Sequence, residues 1–211
     1  MFLDNLKIGV RLSLGFLVIL ALTLAVGVVS IDRLGAVNDA TADIATNWLP
    51  ATRELGAVKA ALNAERRAEA LISVARSAEM LATELKSLEK AKSQGTAAWE
   101  AYIRTVKTPE ERTLADAAIH AAQAYHEGQG RTLALARGTD EGAAFALYTG
   151  ENRPKFAAFV AAVDLCIDFQ AKGSDAAYKS SQEHFASTRL LVIALLAVAV
   201  AIGALLGWRL T

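Results

Sequence analysis

Leu34, Val37, Thr41, Ile44, Trp48, Ala51, Leu55, Val58 and Leu62 follow one another at alternating spacings of three and four. That rhythm is the contact stripe of a long helix that packs against other helices. Pro50 falls inside the stripe without shifting its phase, which predicts a helix that kinks there and continues. A second stripe opens with Leu81, Leu85 and Leu88 and closes with Trp99, Tyr102 and Val106. It predicts a helix from about Ala78 to Val106. Thr108 then suits an N-cap, Pro109 the first helical position, and Glu110 and Glu111 the positive end of the helix dipole. A third helix is therefore expected to run from there to about Arg137, closed by Gly138. Thr139, backed by Asp140 and Glu141, is expected to cap a fourth helix, bent near Gly150 to Pro154.

Two further stretches have no polar face at all. Leu12 to Ile31 and Leu190 to Trp208 carry no charge. A bilayer core of ~30 Å needs about 20 apolar residues in a helix, so both are long enough to span it. The first is also longer than the apolar part of a cleavable signal, about 7–15 residues. Lys7 and Arg11 precede the first span and Arg209 follows the second, which places both chain ends in the cytoplasm. Arg33 and Arg189 lie on the other side, where their side chains can snorkel to the headgroups. The expected fold class is thus all-α: an up-down-up-down four-helix bundle flanked by two transmembrane helices. Residues 1–11 form the cytoplasmic N-terminus, 12–31 and 190–208 the spans, 32–188 the extracytoplasmic bundle, and 209–211 the start of a cytoplasmic linker. The first and last bundle helices need about 45–50 residues each and the inner pair about 30, so the inner turn at Thr108 should hang roughly 25 Å above the membrane.

Composition agrees. Hydrophobic residues make up 54% of the 211, high for a soluble domain, and the three prolines Pro50, Pro109 and Pro154 leave long helices possible. Of the 22 basic residues, Lys7, Arg11, Arg189 and Arg209 lie outside 32–188; of the 22 acidic residues, Asp4 does, so the bundle carries −3. That is no electrostatic footprint for nucleic acid. Cys166, the one cysteine, has no partner in the chain and reads as a small buried apolar residue. His120, His126 and His184 lack metal-ligand spacing, and no nucleophile–base pair or phosphate loop occurs, so neither an enzyme, a metal site nor a cofactor is expected. The charges between Glu79 and Lys92 read as a solvated helix face, and Asp164 and Asp168 as surface. Trp48, Trp99 and Tyr102 sit on stripes and read as core.

The order of these parts resembles the four-helix-bundle sensor family of methyl-accepting chemotaxis proteins. The resemblance is carried by Asn5-Leu6-Lys7-Ile8-Gly9-Val10-Arg11-Leu12 with Leu14-Gly15-Phe16, by Leu49-Pro50-Ala51, by the turn Thr108-Pro109-Glu110-Glu111-Arg112, and by the closing Trp208-Arg209-Leu210-Thr211. It covers the whole chain. It implies a homodimer in the bacterial inner membrane with its sensor domain in the periplasm. It further implies that the receptor detects a small molecule or a periplasmic binding protein and transmits the signal through the second span. The downstream chemotaxis kinase complex would be reached only through a cytoplasmic region that this sequence does not contain. The same input domain on a histidine kinase or diguanylate cyclase, and a membrane-anchored structural or adaptor bundle, are the alternatives.

One cluster is singled out as a ligand contact. Glu65-Arg66-Arg67-Ala68-Glu69 lies about as far below the top of the first bundle helix as Tyr148 and Thr149 lie below the top of the fourth, so the two groups share a level. Lys86 and Arg131 fall near the same height. The resemblance implies ligand binding near this membrane-distal end. Arg66, Arg67, Tyr148 and Thr149 are therefore the candidate ligand-binding residues, with a carboxylate as the expected partner of the guanidinium groups. The bland alternative is a solvent-exposed arginine pair.

Overall fold

The computed structural model of the chain describes residues 8–138 and 140–210. The expectations placed on Asn5 to Lys7, Thr139 and Thr211, and on the side chains of Arg11, Leu12 and Arg209, lie outside what is described. Six α-helices follow in order: α1 Ile8–Asp43, α2 Leu49–Ser73, α3 Ala78–Ile103, α4 Pro109–Arg137, α5 Glu141–Thr149 and α6 Asn152–Leu210. No strand occurs among the described residues. Residues divide into two compact units, Ala45–Asp175 and the two flanking segments.

The unit from Ala45 to Asp175 is a four-helix bundle. Its members are α2, α3, α4, and α5 followed by the first part of α6. Helix α2 packs along α3 and α4 along α5, and α2 also meets both α4 and α5. Ala51, Leu55, Val58 and Leu62 of the first stripe are all buried, as are Leu88 and Tyr102 of the second. All but Leu88 join Ala115, Ala118 and Tyr125 of α4 and Phe159, Val163 and Cys166 of α6 in the main core, whereas Leu88 packs with Ala68 and Ile72 in a second cluster. The helix starts are set by side chains that take up exposed N–H groups. Thr108 accepts from Glu111 N–H at 3.1 Å, and Glu111 Oε2 accepts from Lys107 N–H at 3.2 Å, a reciprocal cap. Ser77, which the stripes did not single out, does the same for α3, accepting from Met80 N–H. Asp140 caps α5, accepting from Ala143 N–H at 3.0 Å.

Two details refine the helix expected through Pro50 and the one expected to bend near Gly150. Ile44–Trp48 forms a π-helical turn directly before Leu49-Pro50. Proline removes the N–H that the carbonyl four residues back would use, and a widened turn is a common way for a helix to absorb that loss. At Gly150 the helix breaks outright, with φ −92° and ψ −98°, and restarts at Asn152, leaving Pro154 in the tolerant first turn of α6.

Near the other end of the bundle the backbone of Gly173 lies against the Trp48 ring, and Trp48 also meets Phe169 with centroids 6.1 Å apart. A Cβ at Gly173 would overlap that ring. Gly173→Ala is therefore expected to lower the thermal midpoint of the bundle. The overpacking, about 1–3 kcal/mol, outweighs the about 1 kcal/mol that alanine gains over glycine in a helix. Circular dichroism melting of the detergent-solubilised chain measures this, and an unchanged or raised midpoint would show that the ring moves aside freely.

The other unit comprises the segment to Ile44 and the segment from Ala176. Its surface is the inverse of a bundle's. Phe16, Leu20, Val28, Leu190, Val200 and Leu205 are each 60–72% exposed. Two stretches here are long and apolar enough to cross a membrane, and none of either is buried in the chain. A Cβ on Gly203 would stand 3.9 Å from Ile19 Cδ1, so α1 and the end of α6 touch.

Candidate functional site

The three-four rhythm of α2 does not stop at Leu62. It continues through Glu65, Glu69 and Ile72, so two carboxylates occupy positions that face the bundle core. Glu65 and Glu69 are 4% and 0% exposed. The same rhythm in α4 runs Glu111, Ala115, Ala118, Ala122, Tyr125, Gln129, Thr132. In α6 it runs Asn152, Phe156, Phe159, Val163, Cys166, Gln170, Gly173. Polar side chains on facing stripes meet in two layers. At one level Gln170 Nε2 donates to Glu111 Oε1 at 2.6 Å, both buried. Tyr102 and Cys166 lie beside them. Burial raises the pKa of both, with Cys166 and Glu111 adding to the rise at Tyr102, so the phenol and the thiol stay protonated.

The other polar layer centres on Glu69. Its Oε2 accepts from Arg66 Nη1 and from the Tyr125 hydroxyl, each at 2.9 Å, and its Oε1 accepts from Asn152 Nδ2 at 2.7 Å. Tyr125 in turn accepts from Gln129 Nε2 at 3.1 Å. Burial first, and then the Glu69 charge, push the Tyr125 hydroxyl far above its ordinary value, which keeps it a donor. Gly128 leaves the room that Asn152 fills, since a Cβ there would overlap the Asn152 amide.

Arg66 closes this layer. Beyond Glu69 it donates from Nη2 to the Tyr148 carbonyl at 2.7 Å, and its guanidinium lies 3.7 Å from the centroid of the Tyr148 ring and 5.2 Å from that of Phe156. The structure thus brings Arg66 and Tyr148 together, through the ring and backbone of Tyr148. Arg66 is not the solvent-exposed half of a pair, because its side chain is 12% exposed and already bound to a buried carboxylate. Arg67 and Thr149 are exposed; the Thr149 hydroxyl donates to the Phe145 carbonyl at 2.8 Å. Arg67 has no ion pair among the described residues. Lys86 is exposed, and Arg131 pairs with Glu151, which also takes Lys155 at 2.8 Å. The hydrogen bonds from Arg131 and Lys155 lower Glu151 to about 2.

Between the two polar layers lies a cavity that is partly open to solvent, with exposed Thr96 and Gln123 on its lining. It has a volume of about 350 Å³ and lies among α2, α3, α4 and α6, walled by Val58, Leu62, Trp99, Ile119 and Phe159. Glu65, Lys92, Thr96, Gln123 and His126 add the polar part of the wall. Glu65 Oε2 meets His126 Nε2 at 3.0 Å. Glu65 Oε1, on the side of Gly95, has no hydrogen-bond partner among the described residues. Sequence inspection pointed to none of Glu65, Glu69 or His126 as interior groups; extending the stripe past Leu62 is the signal that finds the two glutamates.

No curated protein matches the chain. A family model does, over residues 5–185: the four-helix-bundle sensory module for signal transduction found in chemotaxis receptors. That span holds the whole bundle, with both polar layers and the cavity between them. The chain belongs to the family of four-helix-bundle sensory modules of signal-transduction receptors.

Proposed function

We propose that the chain is the input end of a two-pass chemoreceptor. Residues 12–31 and 190–208 cross the bacterial inner membrane, and residues 32–188 stand in the periplasm. The bundle detects a small molecule or a ligand-loaded binding protein and passes the signal through the second span to a cytoplasmic region that controls a kinase. The observation that carries this reading is the contrast between the two units. The bundle buries its apolar stripes, whereas the flanking segments display large apolar side chains with nothing covering them. Burial of apolar surface stabilises by about 25 cal/mol per Å², so those segments call for a lipid environment.

An anionic ligand at Arg66, Arg67, Tyr148 and Thr149 would find Arg67 the readier guanidinium, because Arg66 would have to leave Glu69. The receptor works as a homodimer in this proposal. The lower part of the first stripe supports it: Leu34, which belongs to the same three-four rhythm in the sequence as buried Leu55 and Leu62, is 70% exposed. Such a position suits contact with a second copy. Single cysteines at Leu34 or Val37, in a Cys166→Ala background, are expected to form intersubunit disulfides in native membranes under mild oxidation. A scan from Asp32 to Thr41 that cross-links nowhere would overturn the dimeric receptor.

A further inference from the structure

Building on that sensor role, we infer that the cavity inside the bundle is itself a ligand site, and that it takes a small apolar molecule carrying a protonated amine. It lies within one subunit and is separate from the Arg66–Tyr148 contact. Four features of the wall point the same way. The volume, about 350 Å³, falls in the range of small-molecule sites, about 300–1,000 Å³. The lining is apolar and aromatic except for a few polar groups, which is the usual composition of such sites. Glu65 brings a carboxylate to a position 4% exposed, where one oxygen is held by His126 and the other has no donor. That oxygen is open to an incoming donor, and an ammonium supplies both a donor and the opposite charge. Trp99 and Phe159 line the cavity, and an aromatic ring attracts a cation more than a neutral head. Lys92 also reaches the wall and has no ion pair among the described residues, so an occupant that bears an acceptor at its far end gains a second contact.

A bundle cavity is also a place where occupancy can act on signalling. Its walls come from α2, α3, α4 and α6, so an occupant contacts all four members of the bundle at once. The polar layers at Glu69 and Glu111 tie the helices on either side of it, so the layer stays open for an occupant instead of collapsing.

The test uses three probes of one shape and different charge: 2-phenylethylamine, 2-phenylethanol and 3-phenylpropanoate. Each is titrated calorimetrically into the full chain in lipid nanodiscs, with the heat from empty nanodiscs subtracted. The amine is expected to bind at least tenfold more tightly than the alcohol and the acid. Glu65→Gln should reduce the amine's affinity about tenfold while changing the alcohol's less than threefold, a difference that corresponds to one charge-assisted contact. Ala122→Leu, which narrows the cavity from α4, should weaken all three. The inference is overturned if no probe binds up to 10 mM (about the limit of such a titration), if the acid binds best, or if Glu65→Gln leaves the amine's preference intact. Should Glu65→Gln fail to fold, the charge order of the probes on the parent chain and the Ala122→Leu response decide the matter. Binding is measured without reference to membrane orientation, so failure here and failure of the two-pass receptor are separate results.

Discussion

Replacing Arg66 by alanine is expected to destabilise the bundle by about 3–5 kcal/mol, a drop in thermal midpoint of about 10 °C or more. The reason is Glu69. Its carboxylate is completely buried, and among the described residues Arg66 is the only cation bound to it. Without Arg66 the charge must be carried by the Tyr125 hydroxyl and the Asn152 amide alone, or be neutralised by taking up a proton. The stacking on Tyr148 and the bond to its carbonyl, which tie α2 to α5, go at the same time. Arg66→Lys keeps the charge but not the planar stacking fork, and should fall between parent and alanine variant. Arg67→Ala, one residue along and exposed, should stay within about 0.5 kcal/mol. Thermal or chemical unfolding followed by circular dichroism separates the two. Equal and small effects for both arginines would show that the Glu69 layer does not hold the bundle together.

Phe159→Ala is expected to cost about 3–5 kcal/mol. The ring is 7% exposed and meets Tyr125, with centroids 6.3 Å apart, and His126 edge-on at 6.1 Å. It also walls the cavity. Removing it joins new empty space to an existing hollow, and the facing helices are tied by polar layers on both sides, so they have little freedom to collapse into the gap. Phe145→Ala serves as the comparison: that ring is 47% exposed, and its loss should cost under about 1 kcal/mol. If Phe159→Ala proves equally mild, the hollow layer relaxes easily and its walls are not preorganised.

The helices were legible because their boundaries are written in local chemistry. Thr108-Pro109 and Arg137-Gly138 delimit α4, as the sequence indicated. Stripes were legible for the first two bundle helices and not for the last two. Polar residues on a stripe are easily assigned to the surface, since carboxylates are seldom buried unless paired. Glu65, Glu69, Glu111 and Gln170 break that habit because each finds a partner on another helix, and a partner 59 to 83 residues away is not visible from either residue alone. The Arg66 and Arg67 pair drew attention as a charge cluster. A shift of one position around the helix decides their fates: Arg66 reaches inward to Glu69, and Arg67 points to solvent. The break at Gly150 was legible only as a bend. Glycine and proline mark a weak point, but whether a helix bends or restarts depends on packing, here on Asn152 anchored at Glu69.

Membrane orientation bears on the receptor role most directly. An alkaline phosphatase reporter, active only outside the cytoplasm, can be fused after Lys107, in the turn between α3 and α4, and separately after Thr211. The two-pass receptor predicts activity for the fusion after Lys107 and none for the fusion after Thr211; a silent Lys107 fusion beside an active Thr211 fusion would contradict it.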